Sequence, residues 1–163
     1  MRVAWTGEEV IPQGTEPKVL EAVDYVVQLE PTHIITGAAK GVDTLAALEC
    51  LKRFPNSKHT LFVPNYRHNE ELVELFSAIS DYAPGWVKVV VMPSMTDPLD
   101  RNQAMIDNCD VLIACPRTHR EVDRSGTWAT VRRGRRADRT ICYFPLLRGV
   151  PWVEKLNPLV RVA

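Results

Sequence analysis

Residues 101–145 read R-N-Q-A-M-I-D-N-C-D-V-L-I-A-C-P (101–116), R-T-H-R-E-V-D-R (117–124), S-G-T-W-A-T-V-R-R-G-R-R-A-D-R (125–139) and T-I-C-Y-F-P (140–145). The first segment sets Arg101 and Asn102 on a short helix, then a buried strand that ends at Pro116. Ser125, Gly126 and Thr127 form a turn that opens a second helix, and a second buried strand follows. Apolar strands alternating with helices make units of a parallel sheet. The turn also presents backbone N–H groups at the positive end of a helix dipole, which suits an anion such as a phosphate. Arg101 would bring counter-charge from the neighbouring element. The stretch reads as a ligand site for something phosphorylated.

The same alternation runs outward to the rest of the chain. Apolar runs predict strands over 2–6, 32–36, 59–63, 87–92, 110–115 and 139–144. Amphipathic stretches predict helices over 16–29, 42–53, 69–82, 98–108 and 126–137. In the first helix Val19, Val23, Val26 and Val27 recur at helical spacing, and Pro17 suits a first turn. Asn69 is placed to cap the third helix, with Leu72, Leu75, Phe76 and Ile79 as its buried face. The expected fold class is α/β: a single Rossmann-like domain over 1–163, its sheet mostly parallel with helices on both faces. Residues 146–163, with Pro151 and Pro158, read as an irregular tail whose Trp152 and Leu156 cover the core.

Composition narrows the function classes. The chain has 163 residues, 45% hydrophobic and 25% charged, as one ordinary globular domain does. Its formal net charge of zero argues against a general polyanion binder. No apolar run approaches the ~20 residues that span a bilayer. The start, R-V-A-W-T-G, is strand-like and lacks a signal-peptide layout, so a soluble, cytoplasmic protein is expected. Cys50, Cys109, Cys115 and Cys142 form no C-x-x-C pair, and His33, His59, His68 and His119 have no metal-ligand spacing. All eight are read as structural or surface residues, Cys115 alone standing at a strand end within a ligand's reach, with no metal and no cofactor expected.

A second turn stands out after the second predicted strand, T-G-A-A-K-G-V-D at 36–43. Gly37 and Gly41 permit tight turning and close backbone approach, Lys40 adds charge, and Asp43 opens the next helix, either as a ribose contact or as an ordinary helix cap. It is neither the dinucleotide G-x-G-x-x-G nor the phosphate-loop pattern. It matches without a gap the S-G-x-A-x-G-[IV]-D pattern of the DNA-processing protein A (DprA) family, and R-N-Q at 101–103 resembles that family's R-N-R. Residues 125–145 resemble its S-G-x-x-x-T-A…G-R…P block. Residues 101–116 equally resemble the R-K-x-x-M…D-x-x-[IV]-x-x-P-G-G segment of the Lonely Guy (LOG) phosphoribohydrolases. Both families belong to the SLOG superfamily of Rossmann-like nucleotide-binding proteins. The resemblance covers roughly residues 1–145 and implies a nucleotide pocket at the carboxyl ends of the strands.

The departures from those patterns are equally informative. The hydrolases carry G-G-x-G-T-x-x-E, whose Glu acts as acid/base. After Gly126 and Thr127 this chain has Trp128, Ala129 and Thr130, so the carboxylate needed to assist N-glycosidic cleavage is missing. Asp43, Glu121 and Asp123 are the substitute catalytic candidates; otherwise the protein is not an enzyme. After Gly7 stand Glu8 and Glu9 where relatives often have an Arg; they read as solvated loop acids or as contacts to a ribose hydroxyl. The loop 117–124 lies beside the expected crevice, either as a mobile solvated loop or as a lid whose Arg117, His119 or Arg120 reaches the ligand. Arg132, Arg133, Arg135 and Arg136 repel one another at helical spacing, and Gly134 costs the helix about 1 kcal/mol. Acid pairing, close packing at Gly134 or an anionic partner would offset this, and an acid-paired face is expected.

The expected function is binding of a nucleotide-derived, phosphorylated small molecule. The ligand residues would be Gly7, Gly37, Ala38, Lys40, Gly41, Asp43, Arg101, Asn102, Pro116, Ser125, Gly126 and Thr127. One alternative is a LOG-type N-glycosidic or phosphoribosyl hydrolase with a non-standard carboxylate; another is DprA-type single-stranded DNA binding. The resemblance further implies a homo-oligomer. No membrane association is expected.

Overall fold

A computed structural model of the chain describes residues 1–63, 70–82, 85–93 and 97–155. Its strands are β1 (Arg2–Gly7), β2 (His33–Gly37), β3 (Lys58–Val63), β4 (Trp86–Val91), β5 (Val111–Cys115), β6 (Thr140–Tyr143) and β7 (Val153–Lys155). Its helices are α1 (Glu16–Gln28), α2 (Val42–Arg53), α3 (Glu70–Tyr82), α4 (Pro98–Asp107) and α5 (Gly126–Arg136). They build one sheet in the order β4-β3-β2-β1-β5-β6-β7, with β1 to β6 parallel and β7 antiparallel to β6. The architecture is α/β and Rossmann-like, as the alternation of apolar runs and amphipathic helices implies.

The strand order dictates where the helices go. From β1 to β4 the chain steps outward in one direction, and right-handed crossovers put α1, α2 and α3 on one face. β5 then returns to the other side of β1, and the step to β6 runs the opposite way, which puts α4 and α5 on the other face. The two cores agree with this. Val19, Val23 and Val26 of α1 and Val42, Ala46 and Cys50 of α2 pack on Val3, Trp5, Val111 and Ile113. Met105, Ile106, Trp128 and Val131 pack on Ala4, Ile35, Leu112 and Ile141 from the other side. β5 is covered on both faces and is buried throughout, which is why V-L-I-A-C is a continuous apolar run rather than an alternating one.

Local chemistry sets the boundaries of the helices that frame the site. Asp97 caps α4, its side chain accepting from the Leu99 N–H at 2.8 Å, and Pro98 follows where its missing N–H costs nothing. Ser125 caps α5 in the same way, accepting from the Trp128 N–H at 3.2 Å. Gly134 lets α5 approach the sheet: a Cβ there would stand 3.2 Å from a Leu112 methyl. Close packing therefore offsets the poor helix propensity of that glycine.

Three sequence expectations change. Phe76 is 48% exposed and Val27 51% exposed, because α3 and α1 bury narrower stripes than their apolar content suggests. Leu75 and, in part, Ile79 do face the core. Asn69, His68, the Leu72 side chain and Leu156 lie outside the described residues. The tail is not wholly irregular: Val153–Lys155 adds an antiparallel strand to the open edge of β6. Trp152 stacks on Phe144 at 5.2 Å between ring centroids and lies 4.4 Å from Tyr25, closing the core at that end. Contacts of this kind contribute about 0.5–1.5 kcal/mol each beyond area burial.

All four cysteines are buried thiols outside any disulfide, and burial pushes the Cys109 thiol up to about 12, with Cys50 and Cys115 raised further. His33 bonds Thr60 Oγ1 and His59 bonds the Phe54 carbonyl, both at 2.7 Å. Among the described residues no group of His, Cys, Asp and Glu could hold a metal ion, and no helix is long and apolar enough to cross a membrane.

Candidate functional site

The connections diverge between β1 and β5, where Gly7 lies in register with Cys115. At such a switch point the loops leaving the two carboxyl ends turn to opposite faces and leave a crevice between them. Here the crevice is a cleft of about 750 Å³, within the range of small-molecule sites. The loop after β1, the start of α2, the start of α4, the loop 117–124 and the first turns of α5 surround it.

Glycines bring these walls together. A Cβ on Gly7 would collide with the Val42 side chain at 2.5 Å. Gly41 has φ +77°, and a Cβ there would fall onto the Glu8 and Glu9 carbonyls. The loop after β1 thus lies directly on the start of α2, and the Glu8 carbonyl accepts from the Val42 N–H at 3.1 Å. The Ala38 N–H is spent on the Phe62 carbonyl at 3.3 Å. The turn at 36–43 is consequently a packing joint as much as a donor array.

Arg101 is the central cation of the cleft. It is 7% exposed, and its Nε and Nη2 both donate to Asn102 Oδ1 at 3.3 Å. Asn102 Nδ2 in turn donates to Thr130 Oγ1 at 2.8 Å, and that hydroxyl donates to the Gly126 carbonyl at 2.9 Å. This chain of bonds ties Arg101 on α4 to the first turn of α5. Gly126 and Thr127, whose N–H groups come too early in the helix for an intrahelical acceptor, line the same cleft.

Asp43 is the buried carboxyl of the site, at 6% exposure. Burial pushes it up to about 7, against the opposing pull of the Arg101 charge and the Ala39 N–H, with Glu9 adding a small upward push. A Cβ on Gly37 would stand 2.7 Å from Asp43 Oδ2 and 3.3 Å from Arg101 Nε, so both groups converge on this glycine. They nevertheless form no ion pair within 4.0 Å.

The loop 117–124 is fastened at three points. The Arg117 N–H donates to Glu8 Oε1 at 3.3 Å, and Trp128 Nε1 donates to Thr118 Oγ1 at 3.1 Å. Glu121 accepts from Arg132 at 3.0 Å and Arg135 at 2.6 Å, and these two guanidinium groups hold its carboxyl below the usual value. Arg135 also donates to the Tyr143 hydroxyl at 3.0 Å, and Arg133 donates to Gln103 Oε1 at 3.2 Å. The arginine run is therefore partly neutralised by one acid and partly tied to polar neighbours.

Of the residues singled out from sequence, Gly7, Glu8, Glu9, Asp43, Arg101, Asn102, Arg117, Asp123, Ser125, Gly126 and Thr127 line the cleft together. Gly37, Ala38 and Pro116 are buried behind its wall, and Gly41 supports it from below the loop after β1. Lys40 is exposed and outside the lining; so are Glu121, His119 and Arg120. Sequence reasoning did not single out Asp97, Arg124 or Arg132 as cleft residues. Arg124 precedes the Ser125 cap and Arg132 follows it by two turns on one helical face, so periodicity from the cap was the available signal.

No protein-family model matches this chain, and no curated protein sequence matches it. Among solved structures, the X-ray structure of DNA processing protein A (DprA) from Streptococcus pneumoniae aligns with a TM-score of 0.62 over 87% of this chain, at 20% identity. The chain has a DprA-like Rossmann fold. It spans about half of that protein's length, 49%.

Proposed function

We propose that the cleft at the β1–β5 switch point binds a phosphorylated, nucleotide-derived small molecule. The observation that carries this reading is Arg101: a guanidinium at 7% exposure, lining the cleft, whose hydrogen bonds go only to its neighbour Asn102 among the described residues. Burying a cation without a carboxylate partner is costly, and an anionic ligand supplies the missing counter-charge. The Gly126 and Thr127 N–H groups at the start of α5 add donors and the favourable end of a helix dipole. Glu8, Glu9 and Asp97 on the other walls suit ligand hydroxyl or amine donors, as a ribose and base would present.

Nucleoside phosphates are expected to raise the melting temperature well above the effect of the unphosphorylated nucleosides. Ligand at 100 times Kd adds about 2.7 kcal/mol to a folded state. Arg101→Ala should abolish this shift while the protein stays folded. A full nucleotide panel without a shift, or undiminished affinity in folded Arg101→Ala, overturns the reading.

A second reading, single-stranded DNA binding, draws on the eight arginines between residues 117 and 139, which face only three acids in that span. Against it, Glu121 already occupies Arg132 and Arg135. A hydrolase reading draws on Asp43 and Asp123, which line the cleft, since Glu121 lies outside the lining and is held by Arg132 and Arg135.

A further inference from the structure

We propose that Asp43 is an anion-binding residue that works as a neutral acid: its carboxyl donates a hydrogen bond to the oxyanion that pairs with Arg101, so binding carries a proton from solvent onto Asp43. The inference rests on the anion-binding reading of the cleft and names how that site selects and holds its ligand.

Asp43 and Arg101 both line the cleft and converge on Gly37, yet they form no ion pair. An anion seated on Arg101 therefore meets the Asp43 carboxyl as well. Were Asp43 ionised, two negative groups would share a poorly solvated space, and repulsion there is far larger than in water. A shared site of this kind holds one proton, as carboxylate pairs do. The protonated carboxyl then becomes a donor, and the repulsion turns into a hydrogen bond.

The surroundings of Asp43 favour the neutral form before any ligand arrives. From α4 it faces Arg101, which opposes protonation; from the loop after β1 it faces Glu9, which promotes it. From β5 it faces the neutral Cys115 thiol, and from the turn before α2 only the Ala39 N–H. Glu8 is engaged with the Arg117 N–H, and Asp123 and Arg124, of opposite sign, line the cleft from the loop before α5. Burial is the largest influence and holds the carboxyl at about 7, so the acid is already half-protonated near neutrality. A second negative charge on Arg101 moves it further up.

The test uses inorganic sulfate, whose charge does not change near neutrality, alongside a panel of nucleoside 5′-monophosphates. The Asp43 side-chain carbonyl carbon is followed by NMR against pH, with and without saturating sulfate. The midpoint should move upward by about one pH unit or more, and sulfate affinity should fall as pH rises from about 7 through the bound midpoint, by about tenfold in all for each unit of that shift. In Asp43→Asn, which keeps a donor, affinity should be flat across the same range. A midpoint that stays or falls on saturation, or a wild-type pH slope retained in Asp43→Asn, overturns the proposal. If that variant does not fold, the NMR titration of the wild type decides alone. Anion binding without proton uptake removes this inference and leaves the binding function standing; absence of binding by sulfate and every nucleotide removes both.

Discussion

Replacing Asp43 with asparagine removes a carboxyl that the fold carries almost fully buried, and the change in stability can be worked out with its sign. The group's ordinary value is 3.8 and the folded value is about 7. Below the lower value both states hold the proton; above the upper value neither does. Between them the folded chain keeps a proton that the unfolded chain has lost, so stability falls as pH rises through this window. Three pH units at about 1.4 kcal/mol each give about 4 kcal/mol over the whole window, of which roughly 2.5 falls between about pH 5 and pH 8. The asparagine side chain does not titrate, keeps an acceptor for the Ala39 N–H and has nearly the same shape. Urea unfolding of both proteins at these two pH values should show the wild type losing about 2–3 kcal/mol more than Asp43→Asn. Parallel losses in the two proteins, or a variant less stable than wild type at the higher pH, would refute the argument that a buried, unpaired carboxyl is what the fold tolerates here.

Three further outcomes are expected. Gly41→Ala combines an unfavourable positive φ with a collision against the Glu8 and Glu9 carbonyls, so it should cost more than about 2 kcal/mol by chemical denaturation; a cost below about 0.5 kcal/mol would show that the joint between β1 and α2 is loose. Nucleoside 5′-monophosphates should release no free base at enzymatic rates, because Thr130 and its neighbours supply no carboxylate; steady turnover abolished by Asp43→Asn would reverse that expectation. Single-stranded DNA should bind weakly even at low salt, because Arg132 and Arg135 share Glu121. In a gel-shift titration at two salt concentrations, tight and steeply salt-dependent binding lost in Arg132→Ala/Arg136→Ala would place nucleic acid ahead of the small molecule.

What the sequence determined by itself was local. The continuous V-L-I-A-C run, the valine spacing of the first helix and the Ser-Gly-Thr turn at 125–127 placed six strands and five helices close to where they lie, because periodicity and turn chemistry act within a few residues. The same patterns placed Arg101 on a helix and Ser125 to Thr127 at a helix start. What only the tertiary structure decided depends on which elements meet. The return of β5 to the far side of β1 puts Arg101, Asp43 and the α5 turn around one cleft, although they are separated by tens of residues. It buries Asp43, leaves Lys40 in solvent and brings Glu121 onto the arginines of α5. The three residues of β7 carry no strand pattern of their own and form one because β6 offers an open edge. Burial and charge pairing are properties of neighbours across the sheet, and a neighbour across the sheet is not visible along the chain.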